Sequence, residues 1–173
     1  MAPRKSSKAD PQILEMPPQK MAVVQGKGAP DMVISELMPP LFGSVYTLKF
    51  GLKKQGLETF KVSPPRARYP DGLDVPMDEW TIITGVPVPN DTTSLPQKVS
   101  GIDVKLETWA YGTAAQILHL GAYDQEGPTV ERLHRFIEEN GYEIAGCHEE
   151  EYLTRPDAKV MKTIIRYEIK KRR

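Results

Sequence analysis

Residues 141–157, GYEIAGCHEEEYLTRPD, echo residues 56–71, GLETFKVSPPRARYPD, earlier in the chain. Both stretches follow a segment with helical periodicity. Before the first, Val33, Leu37, Leu41, Val45, Leu48 and Leu52 recur at spacings of three and four between an N-cap candidate, Asp31, and Lys54. That spacing builds one apolar stripe. Pro39 and Pro40 fall inside it, which predicts a kink or two helical pieces, and Gly56 suits the stop. Before the second, GPTVERLHRFIEENG places Val130, Leu133, Phe136 and Ile137 on one face, with Pro128 in the first turn and Gly141 at the end.

Strand-like runs flank both helices. KMAVVQG (20–26) precedes the first, and FKV (60–62) running toward RARY (66–69), then EWTIITGVPV (79–88), follow it. VKLETW and TAAQILHL precede the second; YEIAGCHEEEYL and KTIIRYEI follow, each read as one strand. The order strand–helix–strand–strand thus occurs twice. This predicts an α+β fold: duplicated βαββ units forming an antiparallel sheet, helices on one face, and a ligand cleft between the halves. The expected boundaries are a disordered tail at 1–18, rich in Pro, Lys and Ser, and a domain at 19–173. Within the domain the halves run about 19–89 and 102–170, with a linker at 90–101.

The chain has 173 residues, and 23 Lys and Arg balance 23 Asp and Glu, so no global field steers it toward nucleic acid or a membrane surface. Both termini are basic, which reads as solubilising charge. A single cysteine, Cys147, fits a reducing compartment, and there is neither a signal-peptide core nor a long apolar run. A cytoplasmic location without membrane association follows as the expectation.

Why a strand carries three consecutive glutamates is the functional question. Alternation puts His148, Glu150 and Tyr152 on one face and Cys147, Glu149, Glu151 and Leu153 on the other, so each face receives a carboxylate. A glutamate taken out of water needs a positive or hydrogen-bonding partner, or else it keeps its proton. It then serves as a cation receptor, a general acid or base, or half of a buried ion pair. Arg68, Arg155 and Arg166 are the arginines available for that last role.

The same region resembles a known family, the GyrI-like small-molecule-binding domains. Its residues His119, Gly121 and Tyr123, then Asn140, Gly141 and Tyr142, then His148, Glu150, Tyr152 and Leu153, then Lys162, Thr163 and Arg166 match that family's pattern in order. MAVVQGKGAPD and LFGSVYTLKF resemble its first half more loosely. The resemblance implies a duplicated domain that binds bulky, flat, often cationic compounds, with Glu150 as the acidic residue of the cleft and Tyr152 its aromatic neighbour. Trp80, Tyr69, Tyr46 and Trp109 are the wall candidates, because aromatic faces attract cations and stack flat ligands.

Three activities are consistent with this. The first is a stand-alone sensor or scavenger of amphipathic small molecules, with no DNA-reading segment before it. The second, implied by some relatives, is a hydrolase opening strained cyclopropane rings of DNA-alkylating natural products, with Glu150 as acid or base. The family's pattern then expects an acidic residue and tryptophans where this chain has Arg68 and Tyr69, so an inward-facing Arg68 favours neutral or anionic ligands. The third is interaction with gyrase or another protein, for which the sequence offers no acidic surface. His119, His134 and His148 lack a metal-binding spacing, and no phosphate loop, dinucleotide fingerprint or nucleophile elbow is present, so neither a cofactor nor a metal is expected.

Overall fold

The computed structural model describes residues 9–72 and 74–173. Nine strands and two α-helices divide between two compact units, Pro17–Ala110 and Tyr111–Arg173 with the N-terminal segment through Met16.

In the first unit, β2 (Gln19–Lys27) leads into α1 (Pro30–Lys54), followed by β3 (Arg66–Tyr69) and β4 (Thr81–Pro87). The antiparallel order is β3–β4–β2, and β5 (Lys105–Trp109) adds to the outer edge of β2. In the second unit, β6 (Gly112–Leu120) leads into α2 (Gly127–Glu139), then β7 (Tyr142–Ile144), β8 (His148–Tyr152) and β9 (Lys162–Lys171). The order is β8–β9–β6, and β1 (Gln12–Met16) adds to the outer edge of β6. Both units therefore repeat one plan, a βαββ motif with an added edge strand, and each keeps its helix on one face.

The structure differs from the sequence-based expectations at five places, the first being FKV (60–62), which forms no strand, since β3 starts only at Arg66. Residues 1–8 of the expected tail lie outside the described residues, but Gln12–Met16 form a strand rather than a tail, because pairing with β6 satisfies their backbone. β5, expected in the second half, pairs with β2. α1 is continuous across Pro39 and Pro40. The two prolines remove two N–H donors, yet burial of Leu37, Pro40, Leu41 and Val45 on one face compensates through packing. Finally, the expected acidic strand is two strands: the register slips between Ile144↔Ile169 and Glu149↔Arg166, with Ala145–Cys147 bulging between. Gly146 sits in the bulge, where an added Cβ would lie 3.0 Å from Glu168 Cβ.

Alternation sets what each face holds. In the first unit Ile82, Thr84, Val86 and Ala67 share the face covered by α1, where Gly26 lets Val33 and Leu37 approach the sheet. The opposite face carries Met21, Val23, Gly85 and Trp109, whose ring lies across Gly85. In the second unit Ala115, Ile117, Ile165, Tyr167 and Ile169 pack against Leu133 and Ile137 of α2. Gln116 and Arg166, paired across β6 and β9, occupy the other face.

A Cβ on Gly85 would lie 2.8 Å from the Trp109 ring and 3.0 Å from the Met21 methyl. An indole packed on a sheet cannot swing aside, so Gly85→Ala should cost about 1–3 kcal/mol of stability. Urea unfolding checks this; an unchanged midpoint would mean the indole has room to move.

Candidate functional site

β8 presents two different sets of charges to its two faces. On the face away from α2, Glu149 and Arg166 are both buried and pair directly, with Arg166 Nη1 donating to Glu149 Oε2 at 2.7 Å. Register explains the contact: Glu149 and Arg166 are cross-strand partners, as are Arg166 and Gln116. Arg166 Nε donates to Gln116 Oε1 at 2.8 Å, and the Tyr111 hydroxyl donates to the second oxygen of Glu149 at 3.0 Å. Glu151 Oε1 lies 3.6 Å from the same guanidinium. Arg166 takes this role for Glu149. Glu149 and Glu151 are members of a buried, hydrogen-bonded ion cluster.

The other face, shared with α2, sets a histidine rather than an arginine beside its carboxylate. His148, Glu150 and Tyr152 project there, opposite Ile165 and Thr163 of β9. Glu126, the residue before α2, makes no side-chain cap to its helix, and one of its carboxyl oxygens lies within 4.8 Å of one of Glu150. Tyr152 donates to Glu150 Oε2 at 3.3 Å, and His148 Nε2 lies 3.6 Å from the same oxygen. The far nitrogen, Nδ1, is 2.6 Å from the Tyr167 hydroxyl. Tyr123 meets Tyr152 edge-on at 5.6 Å, and His134 of α2 meets Tyr167 at 5.1 Å. Only 9% of the Glu150 side chain is exposed, whereas Tyr123 at the rim is 41% exposed.

The turn that carries Tyr123 and Glu126 is fastened to β6 by buried His119. Its Nδ1 is 2.7 Å from the Thr129 hydroxyl, and its Nε2 is 2.9 Å from the Ala122 carbonyl. This tether brings Glu126 to a strand more than twenty positions later.

Two carboxyls in hydrogen-bond contact need a proton between them. Burial, then the hydrogen bond and charge of Glu150, push Glu126 up to about 9. The positive end of α2 favours an ionised Glu126, so those effects outweigh the helix dipole. For Glu150, burial works upward too, but the hydrogen bonds of His148 and Glu126, the charge of His148 and the hydrogen bond of Tyr152 outweigh it and hold the carboxyl below the usual range. Glu126 Oε1 is buried with no hydrogen-bond partner, which a neutral carboxyl oxygen tolerates far better than a charged one. Burial, with Glu150 and Glu126 nearby, raises the hydroxyl of Tyr167, so it stays a phenol at neutral pH. Tyr123 is raised by the same causes, and His134 is lowered by burial and then by His148.

At neutral pH the pair therefore holds one proton and one negative charge. Donor atoms of Glu126, His148 and Glu150 lie within 4.8 Å of one another. The trio is thus a close cluster of two carboxyls and an imidazole, with the Tyr167 hydroxyl on the far imidazole nitrogen, and its spacing would also suit a metal ion.

The remaining expected site residues fall into three groups in the first unit. Tyr69 and Trp80 form an edge-on pair at 5.8 Å, Tyr69 on the α1-covered face and the Trp80 indole bonded to the Val75 carbonyl. Arg68 and Trp109 lie on the opposite face, the guanidinium stacked 3.9 Å over the indole. Arg68 thus does not share the face of Tyr69. Tyr46 stands on α1 between Phe42 and Phe50, at 6.2 and 6.0 Å, in an exposed i, i+4 ladder. The sequence reading missed Glu126 as a site residue; its only signal was a carboxylate placed directly before Gly-Pro at a helix start.

Removing one member of the Glu149–Arg166 pair strands a buried charge. Arg166→Leu should cost about 3–5 kcal/mol, and adding Glu149→Leu should recover a large part of the loss. Urea unfolding of the four proteins in the cycle decides; strictly additive losses would contradict the pairing.

The comparisons with known proteins agree with this architecture. A hydrolase of Listeria innocua superposes with a TM-score of 0.79 at 24% identity, covering 96% of this chain and 94% of its own. An uncharacterized conserved protein of Listeria innocua superposes at 0.80 with 25% identity over 94% and 93%. The C-terminal domain of EcmrR gives 0.69 at 17% identity over 94% and 98%. No curated protein matches the sequence. Residues 9–170 match the GyrI-like small molecule binding domain, so this chain, with its repeated βαββ units, belongs to the GyrI-like family.

Proposed function

We propose that this protein binds bulky, flat, amphipathic small molecules, cations among them, and that Glu150 is the anionic anchor. The observation that carries the reading is the charge on the α2 face: one negative charge, buried, with Tyr123 and Tyr152 at its solvent edge. A desolvated carboxylate attracts a cation more strongly than one in water, and a ring that stacks on a tyrosine adds about 0.5–2 kcal/mol. Glu149, buried on the other face, is instead paired directly with Arg166. The placement of Arg68 on Trp109 supports cations as ligands, because the guanidinium is on the opposite face of its sheet from Tyr69. Tyr152 and Tyr123 are the stacking partners beside Glu150, while Arg68 and Trp109 support the sheet of the first unit. The chain would act as a sensor or scavenger, in a reducing compartment such as the cytoplasm, where its single cysteine stays a thiol.

A second reading, hydrolysis of strained cyclopropane rings, is favoured by a separate observation. Glu126 and Glu150 are pushed apart in proton affinity, which is how one site supplies both an acid and a base. Glu150 would take the proton of the attacking water, and Glu126 would protonate the electron pair released by the broken ring bond. One solved relative carries the name hydrolase.

Thermal-shift titration with flat aromatic cations and matched neutral and anionic compounds tests the anchor. A cation at a hundred times its dissociation constant should stabilise the wild type by about 2.7 kcal/mol. Glu150→Gln should lose cations selectively and keep neutral analogues. Equal losses for both classes would reject the anchor role. Turnover of a bound cyclopropane compound, abolished in Glu150→Gln and Glu126→Gln alike, would establish the second reading.

A further inference from the structure

We infer that a cation entering this site displaces the proton held between Glu126 and Glu150, so that cation binding and proton release are one coupled event. The inference rests on Glu150 being the cation anchor.

The geometry favours a displaceable proton. A carboxyl oxygen of Glu126, one of Glu150 and a ring nitrogen of His148 lie within 4.8 Å of one another, and Glu126 Oε1 is buried with no hydrogen-bond partner. A bound monocation provides what that oxygen lacks: a positive neighbour that favours the ionised form. Before binding, the pair carries one charge; with a cation beside both carboxylates, the proton is repelled and the dianion becomes the stable state. The electroneutral exchange of a proton for a cation also avoids stranding a second buried charge in the empty site.

The groups facing the pair come from every neighbouring element. From β8 come His148 and Tyr152, with Cys147 just before them and near Tyr167; from the turn before α2 comes Tyr123. From α2 comes His134, with Glu138 behind it; from β9, Tyr167; from β6, His119, engaged at both ring nitrogens. Tyr123 and Tyr167 hold their protons more firmly than free phenols, so they do not titrate near neutral pH. The Glu126→Gln variant below isolates the part played by Glu126. The high proton affinity of Glu126, about 9, agrees with the geometry and sets the range. Below it the free protein holds the proton and cation affinity climbs with pH; above it the affinity levels off.

The test is calorimetric titration of the full chain with N-methylacridinium, whose charge does not titrate, in buffers of different ionisation enthalpy. Neutral acridine serves as the control. At pH 7 the wild type should release about one proton per cation and gain about tenfold in affinity between pH 7 and 8. Acridine should release none. Glu126→Gln keeps the shape of the neutral carboxyl, so it should bind the cation with no release and a flat pH profile. Cation binding without release, or release that persists in Glu126→Gln, would overturn the inference while leaving Glu150 as anchor. Failure of the cation to bind at any pH, with acridine still binding, would overturn the anchor and the inference together.

Discussion

Two carboxyl groups buried near one another cannot both be ionised without positive or hydrogen-bonding partners, and among the described residues Glu126 and Glu150 have no arginine or lysine paired with them, only His148, Tyr152 and each other. That constraint organises the second βαββ unit. The turn before α2 must approach β8 closely enough for Glu126 to share a proton, and His119 holds the turn there through Thr129 and Ala122. His148 must lie between Glu150 and a phenol that keeps its own proton, which Tyr167 supplies. The rest of that face is an apolar seam of Ile117, Leu133, Ile137 and Ile165. A charge is thereby placed in surroundings where water does not screen it, with exposed Tyr123 at the rim.

The same strand solves the opposite problem on its other face. Glu149 is as deeply buried as Glu150, but its cross-strand partner is arginine and its other neighbour a donor hydroxyl. Adjacent residues of identical chemistry thus end in opposite electrostatic states, because period-two alternation sends one to Arg166 and the other to a second carboxyl. Glu149 is held by a guanidinium; Glu150 is held by a histidine, a tyrosine and a nearby second carboxyl.

Much of this was legible in the sequence, for identifiable reasons. The helical stripes ending at Lys54 and Glu139, and the alternation of β9, are strong periodic signals, and the echo between residues 56–71 and 141–157 disclosed the repeat. Alternation also placed His148, Glu150 and Tyr152 together and opposite Glu149 and Glu151, as the register shows. What it could not give was pairing across long separations. β1 has a composition suited to a tail and becomes a strand only because β6, some hundred residues on, offers a free edge. Glu126 has no mark in the sequence, since its meaning arises when a turn is tied to a sheet. The bulge at Ala145–Cys147 lay hidden in what reads as one continuous strand, with Gly146 its only trace.

The most direct test of the shared proton is infrared spectroscopy of the ligand-free protein at neutral pH, with ¹³C-labelled glutamate to shift the acid carbonyl band. The account predicts a protonated-carboxyl band in the wild type that vanishes in Glu126→Gln. A wild-type spectrum with carboxylate bands alone would mean that both groups are ionised, and would contradict it.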